Sequence, residues 1–310
     1  MHRRSRDASL TGWLVLLLAL GPTVAQGQVD VSQWPKVQLE VFVTGAKDGD
    51  EITGLDESAV AVREDGKPQT VEALQTASEP QSLCMLIDIS GSMYSRMSDV
   101  RAAANHLLNT LPARDQICLA AFGWHLEIRR HFTEDRTKIA TSIQALNAEG
   151  GTSLRDALVG LEDFMRGAAK HRLRAIVVLT DGAENASNAD EQQMRRAMET
   201  AGSPVVHIVR VPPPQGGTTY RSEEASEKAT VRRIAAISGG LSYFPRDAAE
   251  MNASLDDLNR SMKSAYLLTY STGQQLRDGR ERALEIKLDK AHGGPKSVIW
   301  APERFYAPLE

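Results

Sequence analysis

The chain has 310 residues and carries 36 lysines and arginines against 40 aspartates and glutamates, a formal net charge of -4. With 42% hydrophobic and 25% charged residues, the composition is that of an ordinary globular protein, which excludes disordered, collagen-like and disulfide-stapled classes. A slightly acidic chain lacks the broad basic surface with which proteins bind nucleic acid, so we expect no nucleic-acid partner.

The N-terminus carries the pattern of a secretory signal peptide. A basic stretch precedes an apolar run at residues 13–20 and small residues follow it, which predicts cleavage after Ala25 or Gly27. The run is shorter than the ~20 residues of a membrane-spanning helix, and no later stretch reaches that length. We therefore expect residues 1–25 to be removed and the mature protein to be secreted or periplasmic, without a membrane span, as a monomer or weak oligomer.

Residues 26–80 are predicted to be rich in β-strands. From Lys36 onward apolar and polar residues alternate, which is typical of a strand with one buried face. The apolar positions of this strand are Val37, Leu39, Val41 and Val43. Asp65 and Gly66 tolerate a positive φ in a tight turn, and they lie between a stretch containing Val60 and Val62 and one at residues 69–74. This arrangement predicts a β-hairpin.

The alternating pattern returns near the C-terminus, at residues 284–288, and an apolar stretch follows at 296–300. Both lie in the segment 271–310, which is too short to bury a core alone, as are residues 26–80. Together the two segments have the size of an immunoglobulin-like sandwich. We therefore predict a small β-sandwich-like domain that is built from both flanks and interrupted by a central domain.

The central domain, residues 81–270, has a different pattern. Short apolar runs, typical of strands covered on both faces, occur at residues 83–87, 117–122, 175–179 and 205–209, the last of which also contains His207. Between them, apolar residues recur with helical spacing at residues 100–111 and 154–165. Strands that alternate with helices predict an α/β fold, a doubly wound and mostly parallel sheet flanked by helices.

The two cysteines, Cys84 and Cys118, each lie inside an apolar run. Two cysteines do not form a disulfide framework, so we expect buried free thiols. The alternative is a bridge between the two runs, which requires Cα atoms roughly 4.4–6.8 Å apart.

Oxygen-bearing side chains follow two of the predicted strands. The run at residues 83–87 is followed by a carboxylate, with hydroxyls two and four residues after it. The run at residues 175–179 is followed by a second carboxylate. A third hydroxyl opens a predicted helix after a pair of glycines. The residues are Asp88, Ser90, Ser92, Asp181 and Thr152. In doubly wound sheets, ligands bind beyond the carboxyl ends of strands where the connections diverge, so we expect these groups to share one site.

Carboxylate and hydroxyl oxygens are hard donors, which suit Mg²⁺ and also Mn²⁺ or Ca²⁺, whereas zinc is disfavoured. Because hydroxyl ligands are neutral, two carboxylates at most balance a divalent ion. The ion would therefore remain attractive to an incoming anionic oxygen, such as the carboxylate of a protein partner.

These residues resemble the metal-ion-dependent adhesion site of the von Willebrand factor type A domain. The matching elements are Asp88-x-Ser90-x-Ser92, Thr152 and Asp181 followed by Gly182. The resemblance covers about residues 81–262 and implies a Rossmann-like fold. It also implies hydroxyl ligation by the serines and the threonine, aspartates that bind directly or through water, and an Asp or Glu of a protein ligand that completes the shell.

The flanks resemble the exported von Willebrand factor A-related domain proteins common in acidobacteria. The similar elements are Gly54-Leu55, Glu64-Asp65-Gly66-x-x-Gln69 and Arg304-Phe305-Tyr306-Ala307-Pro308. This resemblance implies export and the same architecture.

The sequence therefore predicts a non-enzymatic, exported adhesion module without catalytic residues. Haloacid dehalogenase-type phosphatases need a second Asp at the position of Ser90, and no P-loop lysine follows Thr152. No Gly-x-Ser-x-Gly elbow is present. Two alternatives stay open. One is a metal-dependent periplasmic hydrolase, and the other is a scaffold whose metal only stabilises the fold.

Overall fold

The computed structural model describes residues 29–44, 52, 54–76, 79–199, 203–213, 221–263, 265–289 and 298–309. The predicted signal peptide and both cleavage positions lie outside these residues. Within them, no helix combines the length and the apolar character needed to cross a membrane.

The described secondary structure alternates strands and helices only in its middle part. The strands are β1 (Val29–Asp30), β2 (Lys36–Thr44), β3 (Val60–Glu64), β4 (Lys67–Gln69), β5 (Val71–Thr76), β6 (Gln81–Asp88), β7 (Gln116–Phe122), β8 (Leu126–Thr133), β9 (Leu173–Thr180), β10 (Val205–Arg210), β11 (Ser242–Tyr243), β12 (Tyr266–Ser271), β13 (Glu281–Leu288), β14 (Val298–Trp300) and β15 (Arg304–Tyr306). The α-helices are α1 (Met97–Thr110), α2 (Arg136–Gln144), α3 (Leu154–Ala168), α4 (Glu191–Met198), α5 (Arg221–Ile237) and α6 (Ala248–Lys263).

The central sheet has the order β11-β10-β9-β6-β7-β8. Its pairs are parallel except for β7 and β8, which form an antiparallel edge. From β6 the chain proceeds to β7 on one side and later reaches β9 on the other, so the connections diverge between β6 and β9. The predicted doubly wound, mostly parallel fold is confirmed, and each of the four apolar runs lies in one of its strands.

Helices cover both faces of this sheet, which explains why its strands are apolar without alternation. On one face, buried residues of α1, α2 and α6 join the sheet in one apolar cluster. On the other, residues of α3, α4 and α5 form a second cluster. The helical spacing at residues 100–111 and 154–165 corresponds to α1 and α3, whose apolar sides face the sheet.

The two flanks of the chain form further antiparallel sheets. One contains β1, β2, β12 and β5 in that order, with β14 also paired to β2, and the other has the order β15-β13-β3-β4. A third apolar cluster joins the two sheets and includes Leu39, Val62, Leu268 and Phe305. Strand β12 is part of these sheets although all of its residues except Ser271 lie before position 271. The domain bounds 26–80, 81–270 and 271–310 stay predictions.

The predicted hairpin forms, but its returning strand is divided. Asp65 and Gly66 have φ values of 48° and 75°, and β3 pairs with β4 across this turn. After Gln69 the chain leaves that sheet, and β5 pairs with β12 in the other one. The stretch at residues 69–74 therefore contributes to two different sheets. The sequence pattern does not indicate where the chain passes from one sheet to the other.

The expectation of free thiols is wrong. Cys84 and Cys118 form a disulfide, with Cα atoms 4.5 Å apart. The two residues are direct partners in the register of β6 and β7, so their side chains lie side by side on the same face of the sheet. The sequence could not show this pairing, because the register of two parallel strands depends on the whole crossover between them.

Candidate metal centre

The two aspartates lie at neighbouring strand ends, at the point where the sheet connections diverge. Asp88 is the last residue of β6, and Asp181 directly follows β9. The strands are paired in register up to Ile87 and Leu179, which places both carboxylates at the same edge. The sequence expectation that these two groups share an edge of the sheet agrees with this placement.

Backbone hydrogen bonds hold the loop after β6 against the loop before α3. The Gly91 amide donates to the Gly150 carbonyl at 2.9 Å, and the Glu149 amide donates to the Ile89 carbonyl at 2.5 Å. Gly150 has a φ of 89°, a backbone conformation that residues with side chains rarely adopt. These contacts bring the segment that contains Thr152 to the serines of the first loop.

The hydroxyls of the first loop form a short chain toward the second carboxylate. Ser90 Oγ and Ser92 Oγ are 3.1 Å apart, and Ser92 Oγ donates to Asp181 Oδ2 at 2.7 Å. The Ser90 amide donates to Asp88 Oδ1 at 2.8 Å, and Thr180 Oγ1 donates to Asp88 Oδ2 at 2.7 Å. Both carboxylates are therefore anchored by short hydrogen bonds.

Thr152 is buried just before α3, and its backbone is fixed by the loop after β9. Its amide donates to Asn185 Oδ1 at 2.9 Å, and its carbonyl accepts from the amides of Asn185 and Ala186. Among the described residues, its hydroxyl takes part in no hydrogen bond. The Thr152 backbone is thus held rigidly while its hydroxyl is left for another partner.

The two carboxylates differ in their electrostatics. Burial raises the pKa of Asp88 to about 6, the negative charge of Asp181 adds to this effect, and hydrogen bonds from Ser90 and Thr180 oppose it. Burial would also raise the pKa of Asp181. Hydrogen bonds from Ser92 and Ala183 and the positive charge of Arg96 outweigh it, so the pKa of Asp181 is below its usual value.

Arg96 also belongs to this site, although it was not among the residues predicted from the sequence. Its guanidinium Nη2 donates to Asp181 Oδ2 and to the Ser92 carbonyl, both at 2.7 Å. The side chain is 8% exposed, and so is that of Asp181. One signal could have identified it, because Arg96 lies four residues after Ser92 and one helical turn returns its side chain to the motif.

Two exposed aromatic residues flank the site and were also not predicted to be functional. Tyr94 is 80% exposed and lies two residues after Ser92. Trp124 is 62% exposed, and its indole lies over Gly150 and Gly151, where added Cβ atoms would come within 2.5 and 2.6 Å of the ring. These glycines therefore allow the indole to lie next to the segment that carries Thr152.

The oxygen set fits a small hard cation. Adjacent ligands of an octahedral Mg²⁺ at about 2.1 Å are about 3.0 Å apart. The 3.1 Å between Ser90 Oγ and Ser92 Oγ is close to this spacing. The described residues contain no cluster of three or more His, Cys, Asp or Glu side chains that could hold a metal ion. A cation bound here would therefore depend on hydroxyl ligands in addition to Asp88 and Asp181.

Residues 83–184 match the family model of the von Willebrand factor type A domain. This range runs from β6 to the loop after β9 and contains the five proposed metal ligands and Arg96. An uncharacterized protein of Synechocystis sp. is 31% identical over 115 residues, which are 36% of this chain and 27% of that relative. The match thus covers little more than a quarter of the relative's length. The narrower resemblance to acidobacterial proteins stays a prediction.

Solved structures of similar fold include one titled von Willebrand factor type A from Catenulispora acidiphila. It is 12% identical, covers 93% of this chain and 75% of that chain, and has a TM-score of 0.50, a likeness that shows the fold alone. The von Willebrand factor domain of the type V pili tip protein Mfa5 from Porphyromonas gingivalis is 11% identical, with coverages of 60% and 96% and a TM-score of 0.48. An aerotolerance-related membrane protein of Bacteroides fragilis is 17% identical, with coverages of 59% and 98% and a TM-score of 0.47.

Proposed function

We propose that the von Willebrand factor type A domain of this chain is an exported, non-enzymatic protein-binding module of the adhesion type. Its site would hold a divalent cation, Mg²⁺ or alternatively Mn²⁺ or Ca²⁺, and would bind an Asp or Glu side chain of a protein partner. The observation that carries the proposal is the row of oxygens formed by Ser90, Ser92 and Asp181, with spacings of 3.1 and 2.7 Å at the diverging strand ends.

The residues that would hold the cation share oxygen chemistry and a position at this edge of the sheet. They are Asp88, Ser90, Ser92, Thr152 and Asp181. Three of the five offer neutral hydroxyls, so the set carries at most two negative charges of its own. When bound, the metal supplies a positive charge and an open position for an anionic oxygen.

The protein's surface near the site supports a protein partner. The large hydrophobic side chains that are exposed among the described residues are Tyr94, Trp124, Leu276 and Leu309. The first two flank the candidate site, and tyrosine and tryptophan are the residue types that most often contribute strongly to protein interfaces. An acidic residue of a partner that reached the cation would therefore meet exposed aromatic surface beside it.

The test is affinity capture with matched columns. Mature protein is immobilised and exposed to extracellular and envelope extracts of the source organism, once with Mg²⁺ and once with EDTA. An Asp88→Ala column removes the first carboxylate. An Asp115→Ala column removes another buried aspartate, one that contacts Gln81 at the start of β6 and thus lies at the opposite end of the sheet.

We expect one protein to be retained by the wild type and by Asp115→Ala in Mg²⁺, and by neither Asp88→Ala nor any column in EDTA. Retention that is independent of Mg²⁺ would contradict the proposal. If Mg²⁺ raises the melting temperature without any retention, the metal is structural. Mg²⁺-dependent turnover of generic phosphate or ester substrates would instead favour the hydrolase alternative.

A further inference from the structure

The guanidinium of Arg96 is buried in the candidate metal site and is held there by several hydrogen bonds. Its Nη2 contacts Asp181 Oδ2 and the Ser92 carbonyl at 2.7 Å, and its Nη1 donates to the Pro212 carbonyl at 3.5 Å. Its Nε is buried without a hydrogen-bond partner. The guanidinium is thus desolvated, and its charge lies one hydrogen bond from a proposed ligand of the cation.

Two other pairs of oppositely charged groups lie at this edge. Arg210 donates from Nε to the Asp181 carbonyl at 3.0 Å, and its Nη2 is 2.6 Å from Glu227. Arg155 and Glu184, in the elements that position Thr152, also form an ion pair. Each of these pairs has no net charge. The balance at the centre therefore depends on Asp88, Asp181 and Arg96.

We propose that Arg96 sets the charge of the metal centre so that the cation binds less tightly but attracts a partner's carboxylate more strongly. Two carboxylates and one guanidinium leave one negative charge. A divalent cation turns this into one positive charge, which a single carboxylate neutralises. Without the guanidinium, the cation would already be balanced by Asp88 and Asp181, and an incoming carboxylate would add an unbalanced negative charge.

This inference rests on the proposed function and deepens it, because it specifies the charge of the ligand as one negative unit. It makes Arg96 a positioning residue that acts through Asp181 and through the local electrostatic potential. The effect has opposite signs on the two ligands, since one positive charge repels the cation and attracts the carboxylate. A purely structural role of Arg96 would weaken both.

The experiment uses Mn²⁺ alone as the metal probe and acetate as the carboxylate probe. Free Mn²⁺ is counted by electron paramagnetic resonance during a titration of the mature protein. Acetate is then titrated into the Mn²⁺-loaded protein while water-proton relaxation is recorded, with acetamide as the uncharged control. The variants are Arg96→Gln, which removes the charge, and Arg96→Lys, which keeps it.

Arg282→Gln is the matched control. Arg282 is also buried, is ion-paired with Asp278 at 2.8 Å, and has a buried Nε without a hydrogen-bond partner, but it lies in the flanking sheets. Circular dichroism in EDTA checks that each variant folds. If Arg96→Gln does not fold, Arg96→Met replaces it, because methionine keeps much of the length and apolar body of the side chain.

We expect Arg96→Gln to bind Mn²⁺ at least about tenfold more tightly and acetate at least about tenfold more weakly than the wild type. Arg96→Lys keeps the positive charge but has fewer directed donors, so it should change both affinities in the same directions but less than Arg96→Gln does, and Arg282→Gln should change neither. Weakening of both ligands by Arg96→Gln, or no change in either, would overturn the inference while leaving the proposed function intact. A wild type that binds no Mn²⁺ would overturn both.

Discussion

The ends of β6 and β9 present the same sequence signal in two different electrostatic environments. Each strand contains an unbroken apolar run, and an aspartate stands at its carboxyl end, Asp88 as the last residue of β6 and Asp181 directly after β9. At the end of β6, burial raises the pKa of Asp88 to about 6. At the end of β9, Ser92, the Ala183 amide and Arg96 lower the pKa of Asp181 despite its burial.

The motif places both carboxylates at one edge of the sheet, whereas burial and the contacts of each carboxylate decide its ionisation. These contacts come from inside the motif, as for Ser92, and from outside it, as for Arg96. Asp88 is fully buried and takes hydrogen bonds only from neutral groups, so its negative charge is costly in the metal-free protein. Asp181 has a guanidinium 2.7 Å away. A bound cation would therefore compensate Asp88 most, since Asp181 is already paired.

The largest effect on stability is expected when the ion pair between Asp181 and Arg96 is removed. Asp181→Asn leaves the Arg96 charge buried without its partner, and breaking a buried pair in this way costs about 3–5 kcal/mol of unfolding free energy. Urea unfolding of the metal-free protein in EDTA measures it. A loss below about 1 kcal/mol would show that the buried guanidinium does not need the Asp181 charge.

In contrast to Asp181→Asn, Asp88→Asn is expected to stabilise the metal-free protein. The shift of the Asp88 pKa from 3.8 to about 6 corresponds to roughly 3 kcal/mol of destabilisation by the ionised carboxylate. The asparagine amide is uncharged, and its oxygen could still accept the hydrogen bond from the Ser90 amide. We expect the metal-free variant to be more stable than the wild type at pH 8, by up to roughly 3 kcal/mol, and to gain nothing from Mg²⁺.

The pH dependence of the metal-free wild type follows from the same group. Because the folded protein holds the Asp88 proton more tightly than the unfolded chain does, protonation stabilises the fold. This stability is lost as the pH rises from about 4 to about 6, through the unfolded and folded pKa values. Urea midpoints between pH 4 and pH 8 in EDTA should therefore fall more for the wild type than for Asp88→Asn. Parallel curves would contradict the assignment.

A smaller effect is expected at Thr152, which we propose as a neutral ligand at the site of the two carboxylates. Thr152→Val keeps the shape of the side chain and removes a hydroxyl that has no hydrogen-bond partner among the described residues. Stability in EDTA should therefore hardly change, while affinity for Mn²⁺ falls about tenfold, or about 1.4 kcal/mol. Unchanged Mn²⁺ affinity would remove Thr152 from the proposed ligand set.

The sequence predicted the fold well because its signals are local and periodic. Short apolar runs mark β6, β7, β9 and β10, and divergence of the chain around β6 places Asp88 and Asp181 at one edge. The proposed metal ligands were identified from their order and oxygen chemistry, and their role as ligands stays a prediction.

What the sequence did not predict depends on contacts between distant segments. The Cys84–Cys118 disulfide requires the register of two strands that are separated by a crossover helix. The division of the returning strand between two sheets depends on β12, which lies far along the chain beyond the whole central sheet. Arg96 is close to the motif in sequence, but its pairing with Asp181 joins residues 85 positions apart.

The smallest effect on stability and cation affinity is expected at Tyr94. A substitution there tests whether the turn itself, and not the Arg96 charge, determines cation binding. Tyr94 and Arg96 lie on the same turn after Ser92, but Tyr94 is 80% exposed whereas Arg96 is 7% exposed. Tyr94→Ala should change stability by no more than about 0.5 kcal/mol, as is usual for exposed positions, and should leave Mn²⁺ affinity unchanged.

Retention of a captured partner is the readout in which Tyr94→Ala should differ from the wild type, since an exposed aromatic beside the site loses contact area when it is truncated. Leu276→Ala is the matched control, because Leu276 is 72% exposed and lies in the segment between β12 and β13. If Tyr94→Ala alters Mn²⁺ affinity as Arg96→Gln does, the turn itself shapes the site. The effect of Arg96→Gln on the cation could then come from a change in this turn and would no longer isolate the Arg96 charge.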